Sequence, residues 1–386
     1  MKQYKVAIVG SGIIGMTCAL YLSKLNNIQI TLYGKFPKHS AYKTTAILKT
    51  SINLFKSIIN INEDDKNIQK LKKFKIIDQL RSHEKILDFD CSEVEMDCFA
   101  YNIKDTLLSD KLISQIKKSK NIIHIDEFIN SINNNLQEVI IDYKGKKNHH
   151  DLVIAADGRN SIVRAINLIS VERLKYQENI LITEIEHSKH HENTSYEIHR
   201  NGSLLTSVPT SDNTSAIVYI DNPENIKKKT GRILSDYFNE LLGSYLGKIK
   251  TNRTHNIFTS ETLRVNKLYT NRCILIGESA HVIPPIGAQG LNLGLRDIEV
   301  IYNLLNSYKN IDPGSKIITS KYNHLRWSDI YKRYKSVNLL YQSMMNYNFK
   351  NFIIRNIGMI TLQKSKTIRN ILLQEGMVLK KNKYTQ

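Results

Sequence analysis

Hydrophobic and polar positions along this chain fall into blocks whose period changes several times. Lys5-Val-Ala-Ile-Val9 is a short apolar run of the kind a buried strand makes, and an apolar helical pattern follows from Met16 to Leu25. Ile28 to Leu32 reads as a second strand. After a polar stretch from Pro37, the spacing of Leu48, Ile52 and Phe55 predicts one face of a helix. Phe74 to Ala100 alternates as strands do, most clearly in Lys85-Ile-Leu-Asp-Phe-Asp, and Thr106 to Ile116 returns to helical spacing. Strands are expected at Asn121–Ile125 and Val139–Tyr143, the latter turning back across Lys144-Gly-Lys-Lys147 into a final strand, Asp151–Ala156. The pattern changes between residues 178 and 262. Runs at Ile180–Ile185, Ser195–Arg200, Ser203–Val208 and Ser215–Ile220, separated by turn-rich segments, predict an antiparallel sheet, with a helix at Tyr237–Leu246. Cys273–Ile276 is one more buried strand. A helix from about Asn292 is carried by Leu293, Ile298, Ile301, Leu304 and Leu305, and the chain beyond Ile311 reads as helical.

The connections between these elements carry the candidate chemistry. Gly10-Ser11-Gly12-Ile-Ile14-Gly15 lies between a strand and a helix. There Gly10 makes a tight turn, Gly12 admits a pyrophosphate and Gly15 lets helix pack on strand. An acid about 20 residues further on would hold an adenosine ribose, but here the second strand ends in Tyr33-Gly34. The strand ending at Ala156 closes in Asp157-Gly158-Arg159-Asn160-Ser161. An acid and a glycine beside Arg159 and Arg164 suit a ligand bearing phosphate or ribose. The third connection, Gly277-Glu278-Ser279-Ala280-His281, runs through Pro284 and Pro285 to Gly287-Ala288-Gln289-Gly290-Leu291-Asn292. Its glycines let backbone approach a ligand closely, and the helix start offers free N–H groups to negative charge on a planar ligand edge.

Composition narrows the setting. The 386 residues have room for two domains, and 41% hydrophobic with 24% charged residues is the balance of a soluble globular chain. No apolar run approaches the roughly 18–20 residues of a membrane span, and Met1-Lys-Gln-Tyr runs directly into a strand, so no signal peptide is expected. Cys18, Cys91, Cys98 and Cys273 form no CxxC pair, which predicts reduced cytosolic thiols. The net charge of +19 allows nucleic acid, anionic cofactors or an anionic membrane as partners, with solvated surface lysine as the plain alternative. The lysines are dispersed apart from short runs at Lys227–Lys229 and Lys380–Lys383, and no nucleic-acid motif accompanies them, so nucleic acid is not expected. His149-His150 and His190-His191 lack a third ligand at useful spacing, so no metal site is expected. Gly277-x-Ser279 lacks the second glycine of a nucleophile elbow.

In this order the three motifs resemble the single-component FAD-dependent aromatic hydroxylases, the group A flavoprotein monooxygenases. Ala280-His281, Gln289 through Asp297, and the tail Arg355-Asn-Ile-Gly358 with Gln374-Glu-Gly376 look like the ubiquinone-biosynthesis hydroxylases among them. The resemblance implies an α/β fold with a discontinuous Rossmann-like FAD-binding domain (1–77, 101–175 and 264–310). It also implies an antiparallel-sheet substrate domain (78–100 and 176–263) and C-terminal helices over 311–386. It implies FAD as cofactor, NAD(P)H as co-substrate, and hydroxylation by O2 of a polyprenylated phenol; the flavin carries the hard chemistry and the protein supplies position and electrostatics. Gly10, Ser11, Gly12, Ile14 and Gly15 would then hold FAD, with Asp157 and Gly158 near the pyrophosphate and Gly277 and Glu278 near the ribityl chain. Lys43, Gly287, Gln289, Gly290, Leu291 and Asn292 would also contact the cofactor, the amides around Gly290 to Asn292 acting as an oxyanion-hole analogue for the reduced flavin.

The sequence departs from that family pattern at four places: Gly34 for the ribose acid, Lys43 for an arginine, Asp110 for an arginine or glutamine, and Glu278 for an aspartate. These imply looser retention of FAD. His281 and Pro284 are candidates for approach to flavin or substrate, with a packed histidine the alternative for His281. His199, on a predicted substrate-domain strand, could polarise or deprotonate a phenol, or simply lie on the sheet. With no second GxGxxG, the nicotinamide is expected to bind transiently. The basic, amphipathic tail, with Met344, Met345, Ile353 and Ile354 among Arg355, Lys364, Lys366 and Arg369, suits either a membrane surface or a cover for the FAD domain. The expected setting is cytoplasmic, peripheral on the inner membrane, within a quinone-biosynthesis complex. The rival readings are a hydroxylase of a small soluble aromatic and a non-catalytic subunit that keeps the flavoprotein fold.

Overall fold

A computed structural model describes residues 2–38, 43–63, 65, 67–80, 83–200, 202–229, 231–251, 255–346 and 349–376; the lysine run at 380–383 lies outside them. Strand Tyr4–Val9 pairs in parallel with Ile28–Tyr33 on one side and Leu152–Ala155 on the other. Ile122–Ile125 extends this six-stranded sheet at one edge, and Cys273–Leu275 followed by Tyr269–Thr270 at the other. Val6–Val9 and Leu152–Ala155 are buried on both faces, hence their unbroken apolar runs. Helix Ile13–Leu22 packs on helix Gln289–Ser307 so closely that a Cβ on Gly294 would lie 2.8 Å from the tip of Ile14. The strand order sets the ends of Tyr4–Val9, Leu152–Ala155 and Cys273–Leu275 side by side, so the three glycine-bearing connections leave the same edge of the sheet. That edge is where ligands bind open parallel sheets.

Two sequence expectations are corrected here. The helix expected through Leu48, Ile52 and Phe55 is a strand, Thr44–Leu48, followed by a short helix, Ile52–Lys56. Leu48 is buried through pairing with Ala100–Lys104, and its helical spacing to Ile52 spans a turn. The strand expected to return across Lys144–Lys147 is Lys146–His150, because the turn needs only Lys144 and Gly145, both with positive φ. Leu152–Ala155 starts anew after Asp151 in the parallel sheet; its fully apolar run suits two buried faces, where the polar Lys146–His150 does not.

The second large sheet runs in the order His281–Val282, Asn256–Val265, Val171–His187, Thr214–Asp221, Ser203–Ser211, Thr194–Arg200, Lys73–Leu80 and His83–Asp90. It is antiparallel except where Thr194–Arg200 runs parallel to Lys73–Leu80. Alternate positions divide its faces. Leu181, Tyr196, Ile198, Leu205, Ile217 and Tyr219 pack under helix Arg232–Leu246, while Leu204 and Ile220 meet Tyr334 and Tyr341 of helix Lys316–Met345. Helices Phe349–Lys364 and Lys366–Gly376 follow, pressing Met359 and Leu373 onto Leu87, Phe89 and Phe99. All four cysteines are buried free thiols.

Candidate cofactor and substrate cavity

A cavity of about 670 Å³ opens where the parallel strands end, between that edge and the second sheet. Gly12, Ile14, Gly158, Gly277 and Glu278 form part of its floor, and the segment Gly287–Leu291 continues it. Lys43 stands at the rim. The opposite wall is mainly apolar, with Phe74, Ile180, Ile182, Val208, Val218 and Ile283.

The floor glycines divide by function. A Cβ on Gly10 (φ +111°) would lie 2.3 Å from the Ala156 carbonyl oxygen, and one on Gly15 would lie 1.8 Å from that of Gly10. These two let helix and strand touch. A Cβ on Gly12 or Gly158 would meet nothing within 4 Å, because both face the cavity. Behind Gly158, Asp157 accepts the Val163 N–H at 3.1 Å through one oxygen, while its other oxygen is buried without a partner. Burial pushes this carboxyl above the ordinary carboxylate value. Helix Gln289–Ser307 starts from Ala288 in the left-handed region with no side-chain cap. Asn292 does not line the cavity; its Oδ1 accepts the Leu48 N–H at 3.0 Å and its Nδ2 donates to the carbonyls of Ala46 and Ala288. It anchors the helix start to the strand beside it and leaves the first-turn amides toward the chamber. An open glycine cradle, an orphaned carboxylate oxygen and an uncapped helix start fit a dinucleotide carrying a flavin.

A buried charge cluster fixes that helix from beneath. Asp297 accepts from Gly277 N–H at 3.0 Å, from His281 Nε2 at 2.8 Å and from Arg326 Nε at 2.7 Å. Burial alone would raise the Asp297 carboxyl, but Arg326 and His281 outweigh it and hold it below the ordinary range. Arg326 also donates to Asp329, at 2.6 Å. Burial raises the Asp329 carboxyl as well, but Arg326 and Arg296 draw it down to about 2. Arg333, beside Asp329, donates to Gln289 at the cavity. One chain of ion pairs, ending in a hydrogen bond at each side, thus runs from the parallel sheet to the helix start.

The structure separates the sequence-predicted residues. Gly12, Ile14, Lys43, Gly158, Gly277, Glu278, Pro284, Gly287, Gln289, Gly290 and Leu291 line one chamber. Gly10, Ser11, Gly15, Asp157 and Asn292 lie behind that lining and shape it. His281 does not reach the cavity: it is buried against Asp297, the packed alternative. His199 is also buried and off the lining, with its Nε2 2.7 Å from Glu197 Oε1. Sequence reasoning passed over Glu197, Asn102 and Thr206, all on the lining, and Arg326 and Asp329 beneath the floor. No short motif marks them.

The four departures also find physical places. Gly34 has φ +124°, and a Cβ there would come within 3.3 Å of Ser11, so an acid is strained at this position. Its carbonyl instead accepts from Ser11 Oγ at 2.8 Å and lies 2.9 Å from His124 Nε2. Lys43 pairs with Asp105 at 3.5 Å. Glu278 takes Arg159 on both oxygens, at 3.2 and 3.1 Å, across the chamber's edge. Asp110, expected to oppose a phosphate, is exposed and off the lining; Thr106 and Ser109 of the same helix, Asp105–Lys118, face the chamber instead. Among the described residues no group of three or more His, Cys, Asp or Glu side chains could hold a metal ion.

A family model described as an FAD binding domain matches residues 3–310. The 3-demethoxyubiquinol 3-hydroxylase of Escherichia coli (strain K12) is 21% identical over 390 residues, covering 97% of this chain and 98% of that protein. The ubiquinone hydroxylase UbiL of Rhodospirillum rubrum is 23% identical over 231 residues, 58% of this chain and 54% of the relative, so the match spans about half of that protein. Among solved structures, p-nitrophenol 4-monooxygenase PnpA from Pseudomonas putida DLL-E4 shares the fold with a TM-score of 0.78 at 16% identity, covering 97% of this chain and 98% of that one.

Proposed function

The chain belongs to the FAD binding domain family and is an FAD-dependent monooxygenase, and from that premise we propose that it hydroxylates the ring of a polyprenylated phenol in ubiquinone biosynthesis, with NAD(P)H as electron donor. The observation that carries this reading is a single chamber whose glycine floor fits a flavin dinucleotide and whose facing wall is apolar. Whole-length similarity to a ubiquinol hydroxylase supports the substrate class.

Bound FAD would supply the activation of O2 and the delivery of one oxygen atom to an electron-rich ring. The chain's own residues supply the rest. Gly12 and Gly158 admit the phosphates, and Asp157, accepting the Val163 N–H, fixes the turn behind them. The first-turn amides at Gln289–Leu291 stabilise negative charge at the flavin's edge, held in place by Asn292 and Asp297. Pro284 stiffens the segment between the two sheets. Phe74, Ile180, Ile182, Val218 and Ile283 exclude water and accept an apolar ring and tail.

Such a substrate lives in a bilayer, and the C-terminal helix pair offers a matching face. Ile353, Ile354, Ile357, Ile368, Ile371 and Leu372 are all exposed, with exposed Lys364 and Lys366 between them. Arg355 and Arg369 turn inward to Asp78 and Glu93, and Glu375 is the one acid in residues 349–376. An aliphatic face with cations and almost no acids fits an anionic bilayer surface. No helix among the described residues is long and apolar enough to cross a membrane.

The test is product analysis with FAD-loaded protein, NAD(P)H and air, comparing a short-tailed prenylphenol in anionic liposomes with p-hydroxybenzoate in solution. The expected result is one added oxygen on the prenylphenol, stimulation by anionic lipid, and loss of liposome binding in an Ile354→Asp, Ile371→Asp double variant. Hydroxylation of the soluble ring with no lipid effect would favour the small-aromatic reading. A flavin that is reduced and reoxidised without product would favour the non-catalytic one.

A further inference from the structure

We infer that Glu197 receives the polar head of the aromatic substrate and selects rings bearing neutral hydroxyl or amino donors against rings bearing a carboxylate. The inference rests on the reading above only in taking the chamber's sheet wall as the ring's site. Strand period places Ser195, Glu197 and His199 on one face of Thr194–Arg200, and Ser195 and Glu197 line the cavity. Across the sheet the Glu197 row continues through Thr206, Val218 and Ile182, so a carboxylate interrupts an otherwise mostly apolar wall.

Glu197 is only 2% exposed, and a carboxylate buried to that degree costs several kcal/mol unless paired. Its one side-chain partner among the described residues is His199, on Oε1 at 2.7 Å. The second oxygen is left to the chamber. Two more polar atoms on the lining are buried without a partner: Thr206 Oγ1, directly across the ladder from Glu197, and Asn102 Oδ1, whose Nδ2 already donates to the Pro209 carbonyl at 2.7 Å. Glu197 and Thr206 stand side by side across the ladder and Asn102 lies elsewhere on the same lining; the carboxylate and the amide oxygen only accept, so their complement is a ligand that donates. A phenol hydroxyl is such a donor, and donating to a carboxylate raises electron density on the ring. A ring carboxylate would meet Glu197 as a second anion, with one hydroxyl to donate to it. Lys73, the lining cation on the neighbouring strand, is exposed at the register position of Thr194, off the Glu197 row.

His199 acts through Glu197 and is a positioning residue. Behind it in the register stands Asp78, bound by Arg355 at 2.7 and 3.1 Å. That ion pair ties the strand beside the Glu197 row to helix Phe349–Lys364, which carries part of the bilayer-facing surface.

The test is calorimetric binding to the FAD-loaded protein of a prenylphenol and a prenylbenzoate with the same short tail, together with the tail-less phenol and benzoate. Wild type is expected to prefer the phenol by about tenfold or more, the scale of one charge-assisted hydrogen bond. Glu197→Gln should weaken the phenol, tighten the benzoate and bring the ratio toward one, with the circular dichroism spectrum and flavin content unchanged. His199→Gln, which still donates to the carboxylate, should keep the preference that His199→Leu loses. Equal or tighter benzoate binding by wild type, or a ratio untouched by Glu197→Gln, would overturn the inference. The wild-type ratio decides alone should the variant not fold. A phenol preference with no gain from the tail would sink the polyprenyl reading and leave Glu197 standing, whereas no binding of any ring would remove both.

Discussion

The two sides of the cavity are built by different means. The floor is largely backbone: open glycines at 12 and 158, the amides of a helix start, and an ion cluster around Asp297 that holds them still. The wall is side chains at alternate positions of strands from distant parts of the chain, mainly apolar, with Glu197, Thr206 and Asn102 among its polar members. A floor of this kind suits a ligand whose phosphates and ring edge are always the same. A wall of side chains can be re-cut for a new substrate without disturbing the sheet. On the proposed reading, the difference would make stability and cofactor binding properties of the floor, and substrate choice a property of the wall.

That division can be broken by mutation, most severely beneath the floor. Asp297→Asn would leave Arg326 and His281 buried without their counter-charge, and the expected loss in chemical denaturation is about 3–5 kcal/mol. Glu197→Gln on the wall keeps an amide oxygen for His199 and strands no buried arginine, so the same measurement should move by only about 1 kcal/mol. Next in size is a pair of glycines. Gly12→Val puts a side chain where nothing stands within 4 Å, so the apoprotein should melt unchanged while FAD affinity falls on the order of a hundredfold through lost phosphate hydrogen bonds. Gly15→Ala drives a Cβ into the Gly10 carbonyl and should destabilise the apoprotein itself by about 1–3 kcal/mol. Smallest are the softened contacts. Lys43→Arg restores a planar fork at the rim and should tighten FAD only a few-fold in equilibrium titration. A loss of affinity there would show that the Lys43–Asp105 pair already serves the site.

The same contrast decides what could be read from the sequence. The parallel strands and the three glycine-bearing connections were legible because their chemistry is local: each motif is contiguous and flanked by the strand and helix that give it meaning. Leu48 misled because a strand end and a following helical turn imitate helical spacing over eight residues, and only pairing with Ala100–Lys104 reveals the strand. His281 looked available because it follows a motif. Its role is set by Asp297 and Arg326, 16 and 45 residues removed, and no pattern in a single sequence announces that triangle. Glu197 was hidden for a similar reason: a glutamate within a strand pattern has no signature until the register shows Thr206 opposite and the cavity in front. Asp110 was misplaced by one residue of helix phase, which is enough to exchange a buried Ser109 for an exposed acid.

The most direct test of the central claim is electron density for the full chain crystallised with FAD. The account predicts the diphosphate beside Gly12 and Gly158, and the flavin ring against Gly287–Leu291 with its open face toward Phe74 and Glu197. Flavin density anywhere else, or a filled protein chamber that excludes FAD at saturating supply, would contradict it.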